Sequence, residues 1–377
     1  MSSRSNMVIS LVVIGIIFGG VGVMIMVAAP YQPSVVGVVL MAPGFGDKSM
    51  ADTVEAGLHL LQSDSSVEYA FPDTLPTNVA GAQEWLTTFA KRGDIDLVIA
   101  VGSDLTSAVS NVAQLYPDKK FAIIGGSVPL NNVMSAEFES QEAAFLGGVV
   151  AAFVANSQPY FGTTKHTGEI GILAAMQDRE ITTLVNGFIQ GVEAANETYN
   201  LNVTLKDPVF LDSWNTSAAQ DDIYNMFVYD NMSIIFAPVR ASIWAVRAGM
   251  LQAQAEFSSN FAQRFRMPLV IAAEGNLDYY GTPNPEIPVA PSWITTSVWD
   301  RTDLAIYRAI NLTLWDQFPN GEYIDYNLAN GGVNITDFLY SSTYIPATLI
   351  HAIESFTTLI VNGTIFVDPE APYTPTV

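Results

Sequence analysis

The chain has 377 residues, 37 acidic against 15 basic, and a formal net charge of −22. It has no cysteine and is 49% hydrophobic but only 14% charged. That excludes disulfides, thiolate metal sites, an anchor through a lipidated cysteine and a disordered acidic chain, and it disfavours nucleic acid, which is gripped by clustered Lys and Arg.

The first feature in chain order is an apolar, uncharged run over residues 7–29. As a helix it would extend about 33–35 Å, enough for a bilayer core. Arg4 precedes it, and the next basic residue is Lys48. This predicts a single-pass anchor within residues 1–30, with Met1 in the cytoplasm and the bulk of the chain extracellular. A cleavable signal ending near MVAAP (26–30) is the alternative.

After the short linker PYQPS (30–34), strand and helix signals alternate. Strands are predicted at 34–42, 67–71, 96–102 and 120–126, with helices over 49–62, around Trp85–Phe89, and over 105–116 and 139–156. Ser49 with Asp52 reads as a variant capping box. Past residues 157–167 the pattern restarts, with strands at 168–176, 203–211, 232–239 and 268–273 and helices over 180–196 and 242–257. Helices of this length between strands imply parallel βαβ crossovers, and two successive runs imply two similar α/β lobes.

Ligands of open parallel sheets sit at the carboxyl ends of the strands, against helix N-termini. The junctions 43–49, 102–105, 176–180, 239–242 and 274–278 are therefore the places to look. They carry Phe45, Asp47 and Met50, then Ser103 and Asp104, Met176 and Gln177, Arg240, and Glu274 and Asn276.

Known catalytic patterns do not fit these junctions. In GFGDKS (44–49), Asp47 separates Gly46 from Lys48 and puts a carboxylate where a phosphate loop needs amides. Ser49 stands at the third glycine of a dinucleotide loop. No G-x-S-x-G is present, and His59, His166 and His351 are isolated in sequence. Asp178 and Glu180 read as charges suited to a helix start. The expectation is recognition of a small molecule, with no catalysis, cofactor or metal.

Seven N-x-S/T sequons lie at Asn196, Asn202, Asn215, Asn231, Asn311, Asn334 and Asn362, all in the C-terminal half. They are candidate glycosylation sites on an exported chain.

Five stretches carry a family likeness: 44–58, 96–126 with its YPDKKFAII, 132–153, 168–196 and 296–321 with its TSVWD. The chain resembles the basic membrane protein family of solute-binding proteins, whose members include purine-nucleoside receptors of ABC transporters. The resemblance covers about residues 35–368. It implies a type I periplasmic-binding-protein fold of two hinged α/β lobes. Residues 31–162 with about 295–325 would form one lobe, and 163–294 with about 326–370 the other. It implies a nucleoside-like ligand between the lobes and an ABC permease as partner. By the same likeness, Asp47, Ser103 with Asp104, and Glu274 with Asn276 would touch the ligand.

Several positions depart from the family pattern. Met50 and Leu184 stand where it has stacking phenylalanines, Gly46 replaces a polar residue, Glu274 lengthens an aspartate, and Asp300 replaces a lysine. Trp214, Tyr279 and Trp299 are candidate replacement rings. Base stacking contributes about 1–3 kcal/mol per ring, so these changes bear on ligand choice. The three carboxylates at 47, 274 and 300 favour a polyhydroxyl or cationic ligand over an anionic one. The alternative reading is a surface structural or sensor-like protein that reuses the fold.

Overall fold

The computed structural model describes residues 34–62, 67–157 and 167–371. The expected span at 7–29 lies outside these residues. Among the described residues, no helix is long and apolar enough to cross a membrane.

The first sheet has β1 (Ser34–Val39), β2 (Val67–Ala70), β3 (Ile95–Val101), β4 (Lys120–Ile124), β5 (Val133–Phe138) and the late β12 (Tyr323–Tyr326). Its order is β12-β5-β4-β3-β1-β2, all pairs parallel. Helices α1 (Met50–Gln62), α2 (Val79–Lys91), α3 (Thr106–Leu115) and α8 (Thr302–Leu314) cover its faces. A parallel sheet buried on both faces needs continuous apolar strands. Ile95-Asp96-Leu97-Val98-Ile99-Ala100-Val101 is of that kind, with only Asp96 exposed.

The second sheet has β6 (Glu169–Ala174), β7 (Thr204–Leu205), β8 (Val209–Phe210), β9 (Ile234–Ala237), β10 (Leu269–Ala273), β11 (Ile294–Asp300) and β13 (Val333–Ile335). Its order is β13-β11-β10-β9-β6-β7, with β8 also on β6 and only the β11–β13 pair antiparallel. One face packs on α4 (Ser140–Asn156), α5 (Arg179–Tyr199) and α9 (Ala347–Val361), the other on α6 (Ala218–Val228) and α7 (Ile243–Ser259). The chain passes between lobes from β5 to α4, from β11 to α8, and from β12 to β13.

Three expectations need correction. Residues 139–156, placed with the first lobe, form α4 inside the core of the second. The helix is apolar on all sides, so it must be covered all round; the second sheet, α5 and α9 do this. Within 295–325, also assigned to the first lobe, β11 is a strand of the second sheet, and only α8 and β12 belong to the first. The strand expected over 203–211 splits into β7 and β8 around Asp207-Pro208, because proline has no N–H to give to a ladder.

Candidate functional site

The turn from β1 into α1 is closed by its own carboxylates. Gly44 and Gly46 take φ of 79° and 92°, values open to glycine. Asp47 accepts hydrogen bonds from the Ser49 N–H at 2.9 Å and from Ser49 Oγ at 2.6 Å. Asp52 reaches back to accept from the Gly46 N–H, from the Lys48 N–H at 3.3 Å and from Lys48 Nζ at 3.2 Å. The capping expected between Ser49 and Asp52 is thus replaced by two carboxylates folded onto the turn. Amides 46, 48 and 49 are occupied, which is why this glycine turn cannot cradle a phosphate.

After β3, Gly102 at φ 111° leads into the 3-10 turn Ser103–Leu105. Ser103 Oγ donates to Glu180, in the first turn of α5. This hydrogen bond joins the two lobes. Glu180 also accepts from Arg240 Nη2. Arg240 opens the 3-10 turn after β9, donates from Nε to Glu274 Oε1 at 2.8 Å, and lies 3.9 Å over the Trp214 ring. Lys48 interacts with Asp52 and with Tyr279 of the second lobe.

Backbone strain gathers here. Lys48, Arg240 and Glu274 have φ of 62°, 47° and 67°, left-handed values that side chains adopt rarely. Such residues cost about 1–3 kcal/mol each and persist where surrounding contacts hold them. Here the contacts are the ion pairs themselves.

Burial sets the electrostatics. It pushes Glu274 up to about 7, against the neighbouring Arg240 charge and with the help of Glu180. It pushes Asp300 up to about 6, opposed by the Ser140 hydroxyl. Asp47 and Asp104 are raised by burial too, and both feel the Arg240 charge across the cleft. Burial disfavours the Arg240 cation, but Glu274 and Glu180 outweigh it and hold the guanidinium charged.

The structure brings Asp47, Ser103, Asp104, Arg240 and Glu274 into one cluster and joins Asp300 to its edge through Glu274 and Glu180. Ser140 Oγ, at the start of α4, donates to Asp300 Oδ2 at 2.7 Å where two interlobe crossovers adjoin. Other expected residues take no part in the hydrogen bonds that hold the ionic cluster. Phe45 meets Phe71 edge-on at 5.6 Å and packs on the first lobe's core. Met50 packs on that core, beside Gly125. Leu184, one turn after Glu180 on α5, is buried in the second lobe's core. Gln177 and Asn276 are exposed, and Met176 is half-buried. Ser103 and Asp104 also line a depression of about 450 Å³, walled by Thr106, Ser107, Ser127 and Val128 of the first lobe.

The profile described as ABC transporter substrate-binding protein PnrA-like (Bmp) matches residues 34–367. The chain belongs to the Bmp family. A CD4+ T-cell-stimulating antigen of Listeria innocua is 24% identical over 87% of this chain and 81% of its own length. The ABC transporter nucleoside-binding protein BmpA of Lactococcus lactis is 22% identical over 79% of this chain and 80% of its own. An ABC transporter solute-binding protein of Aeropyrum pernix superposes with a TM-score of 0.74 at 20% identity, covering 90% of this chain and 95% of that one. As a Bmp-family chain, this is a substrate-binding protein of the ABC transporter type, with a two-lobe α/β fold. Among the described residues, no group of three or more His, Asp or Glu could hold a metal ion.

Sequence reasoning missed Glu180 and Ser140 as members of the site. Glu180 reads as a helix-start charge, but Asp178 is the residue that caps α5, accepting from the Ile181 N–H at 3.0 Å. That leaves Glu180 free to cross the cleft. No local signal in the sequence distinguishes the two carboxylates.

Proposed function

We propose that this chain is an extracellular receptor, held to the membrane through residues 7–29, that captures a nucleoside-like solute between its lobes and delivers it to an ABC permease. The observation that carries this reading is the Ser103–Glu180 hydrogen bond. It ties the carboxyl end of one sheet to that of the other at the point where Asp47, Asp104, Arg240 and Glu274 converge. Lobe closure is the mechanism: a ligand touching both lobes favours the closed state. No bond is made or broken. Five sequon asparagines, at 202, 215, 231, 334 and 362, are exposed, which supports glycosylation of the exported part; Asn196 and Asn311 are half-buried. Mass spectrometry of small molecules released from the purified chain, followed by calorimetry with nucleosides, tests the assignment. A released nucleoside with matching binding heat supports it; no released molecule and no heat sinks it.

One observation favours a second reading, a surface structural or sensor-like protein on the same fold. Of the two positions where the family stacks its ligand, Leu184 is buried in the second lobe's core and Met50, half-buried, packs against the first, so neither carries a ring here. Imaging of native membranes separates the two, since an ordered lattice or filament supports the second reading and dispersed monomers support the first.

A further inference from the structure

Five carboxylates meet at the cleft: Asp47 and Asp104 from the first lobe, and Glu180, Glu274 and Asp300 from the second. The guanidinium of Arg240 acts on Asp47, Asp104, Glu180 and Glu274. Asp47 is satisfied by Ser49, and Glu180 by Ser103 and Arg240. Two oxygens are not satisfied. Glu274 Oε2 and Asp300 Oδ1 are buried and accept no hydrogen bond from any described residue. The Glu274 side chain is only 7% exposed.

The two carboxylates sit at the ends of neighbouring strands. The Glu274 N–H donates to Val298 O at 2.9 Å, which puts Glu274 alongside the last residues of β11. Each carboxylate has one oxygen engaged, Glu274 by Arg240 Nε and Asp300 by Ser140 Oγ. The second oxygen of each is left without a donor. A hydroxyl could supply a hydrogen, but it would leave the surplus negative charge uncompensated in a buried site, where Coulomb forces are strong. A cation supplies both donors and charge. Arg240 already shows the chemistry this end of the sheet holds, a guanidinium on an aromatic face between two carboxylates.

We infer that the cleft takes a small solute carrying a protonated amine or amidinium group, which donates to Glu274 Oε2 and Asp300 Oδ1 beside Arg240. The inference rests on the solute capture proposed above and names the chemical class of the solute. Asp300 is then the specificity-determining residue: with a lysine there, the same end of the cleft would reject the cation.

Calorimetry on the full chain with three probes tests this: adenosine, its cationic twin 5′-amino-5′-deoxyadenosine, and agmatine. The amine binds about tenfold or more tighter than adenosine, the scale of one charge-assisted hydrogen bond, and agmatine binds measurably. Asp300→Lys abolishes the preference for the amine. Asp300→Asn and Glu274→Gln, milder changes that keep the shape of the site, each reduce it. Adenosine binding as tightly as the amine overturns the inference while leaving solute capture standing. A preference for cations that survives both milder variants marks attraction to the acidic surface and also overturns it. No heat from any probe, with no small molecule released from the purified chain, overturns both readings.

Discussion

At the scale of single residues, Arg240 is the group whose loss should cost most. Its guanidinium satisfies one oxygen of a buried glutamate and stacks on Trp214. Truncation to methionine keeps the stacking bulk but strands Glu274, and breaking a buried pair from one side costs about 3–5 kcal/mol. Glu274 can escape part of this by taking a proton, since burial already holds it at about 7. Without Arg240 its pKa rises further, so the penalty is small at pH 5 and grows to about 3 kcal/mol at pH 8. Denaturant melts of Arg240→Met at the two pH values check the size and the sign. Adding Glu274→Gln to Arg240→Met should restore stability at pH 8; a double variant no better than the single one would mean that the pair does not act as a unit. Of this cluster, the residues on strand-to-helix junctions were legible from sequence: Asp47, Ser103, Asp104, Arg240 and Glu274. The connecting residue, Glu180, was not. Its role depends on α5 facing the Ser103 turn of the other lobe, a contact between residues 77 positions apart.

At the scale of elements, the α4–α5 pair holds the second lobe together, and its glycines set the distance. A Cβ at Gly191 would fall 1.9 Å from Phe145 O, one at Gly187 2.3 Å from Gln141 O, and one at Gly148 2.1 Å from Phe188 O. These atoms are backbone, so they cannot rotate away. Gly191→Ala must force the helices apart, at a cost of about 3 kcal/mol or more. Gly93→Ala, with nothing within 4 Å of the new methyl, is the control and should leave the melting midpoint unchanged. Equal midpoints for the two variants would refute the close packing. The likeness of 168–196 to the family's G-F-x-x-G helix marks Gly187 and Gly191, but not their purpose, because the partner helix reads as part of the other lobe. The same difficulty hid β11. Its Thr295, Thr296 and Ser297 are fully buried, which is unusual for a central strand. The Thr295 hydroxyl accepts from Tyr344 OH at 3.4 Å, the Thr296 hydroxyl donates to the Thr336 carbonyl and the Ser297 hydroxyl to Asp278, partners that no local pattern reveals. The apolar strands and amphipathic helices of the three βα units from β1 to α3, by contrast, depend on near neighbours and read directly.

At the scale of the whole molecule, two consequences follow from a cleft that joins acidic lobes. The first concerns closure. Ser103→Ala removes the hydroxyl that Glu180 accepts from across the cleft, and Glu180 then faces Asp104 with less compensation. The variant should keep its melting temperature, because each lobe has its own core, but show a larger radius of gyration by small-angle scattering. An unchanged radius would mean that the bond does not hold the lobes together.

The second consequence is the direction of the pH dependence. Folding raises Glu274 and Asp278 to about 7 and Asp300 to about 6, with burial as the main cause in each. Asp47, Asp104 and Glu142 are raised as well. A carboxylate raised by folding binds its proton more tightly in the native state than in the unfolded chain. Between about pH 4 and 7 the native state therefore carries more protons, and stability falls as pH rises through that window before levelling off. The net charge of −22 pushes the same way, since self-repulsion grows as carboxylates ionise. Salt separates the two contributions. At 1 M the screening length is about 3 Å, which suppresses repulsion across the surface but reaches buried groups poorly. The chain should be more stable at pH 5 than at pH 8 by about 2 kcal/mol or more in low salt, and 1 M sodium chloride should narrow the gap without closing it. Asp278→Asn should narrow what remains, because its Ser297 and Thr336 partners, at 2.8 and 2.6 Å, can still donate to the amide oxygen while the titrating proton is gone. A gap that vanishes in salt would assign the whole effect to the surface and none to the buried carboxylates.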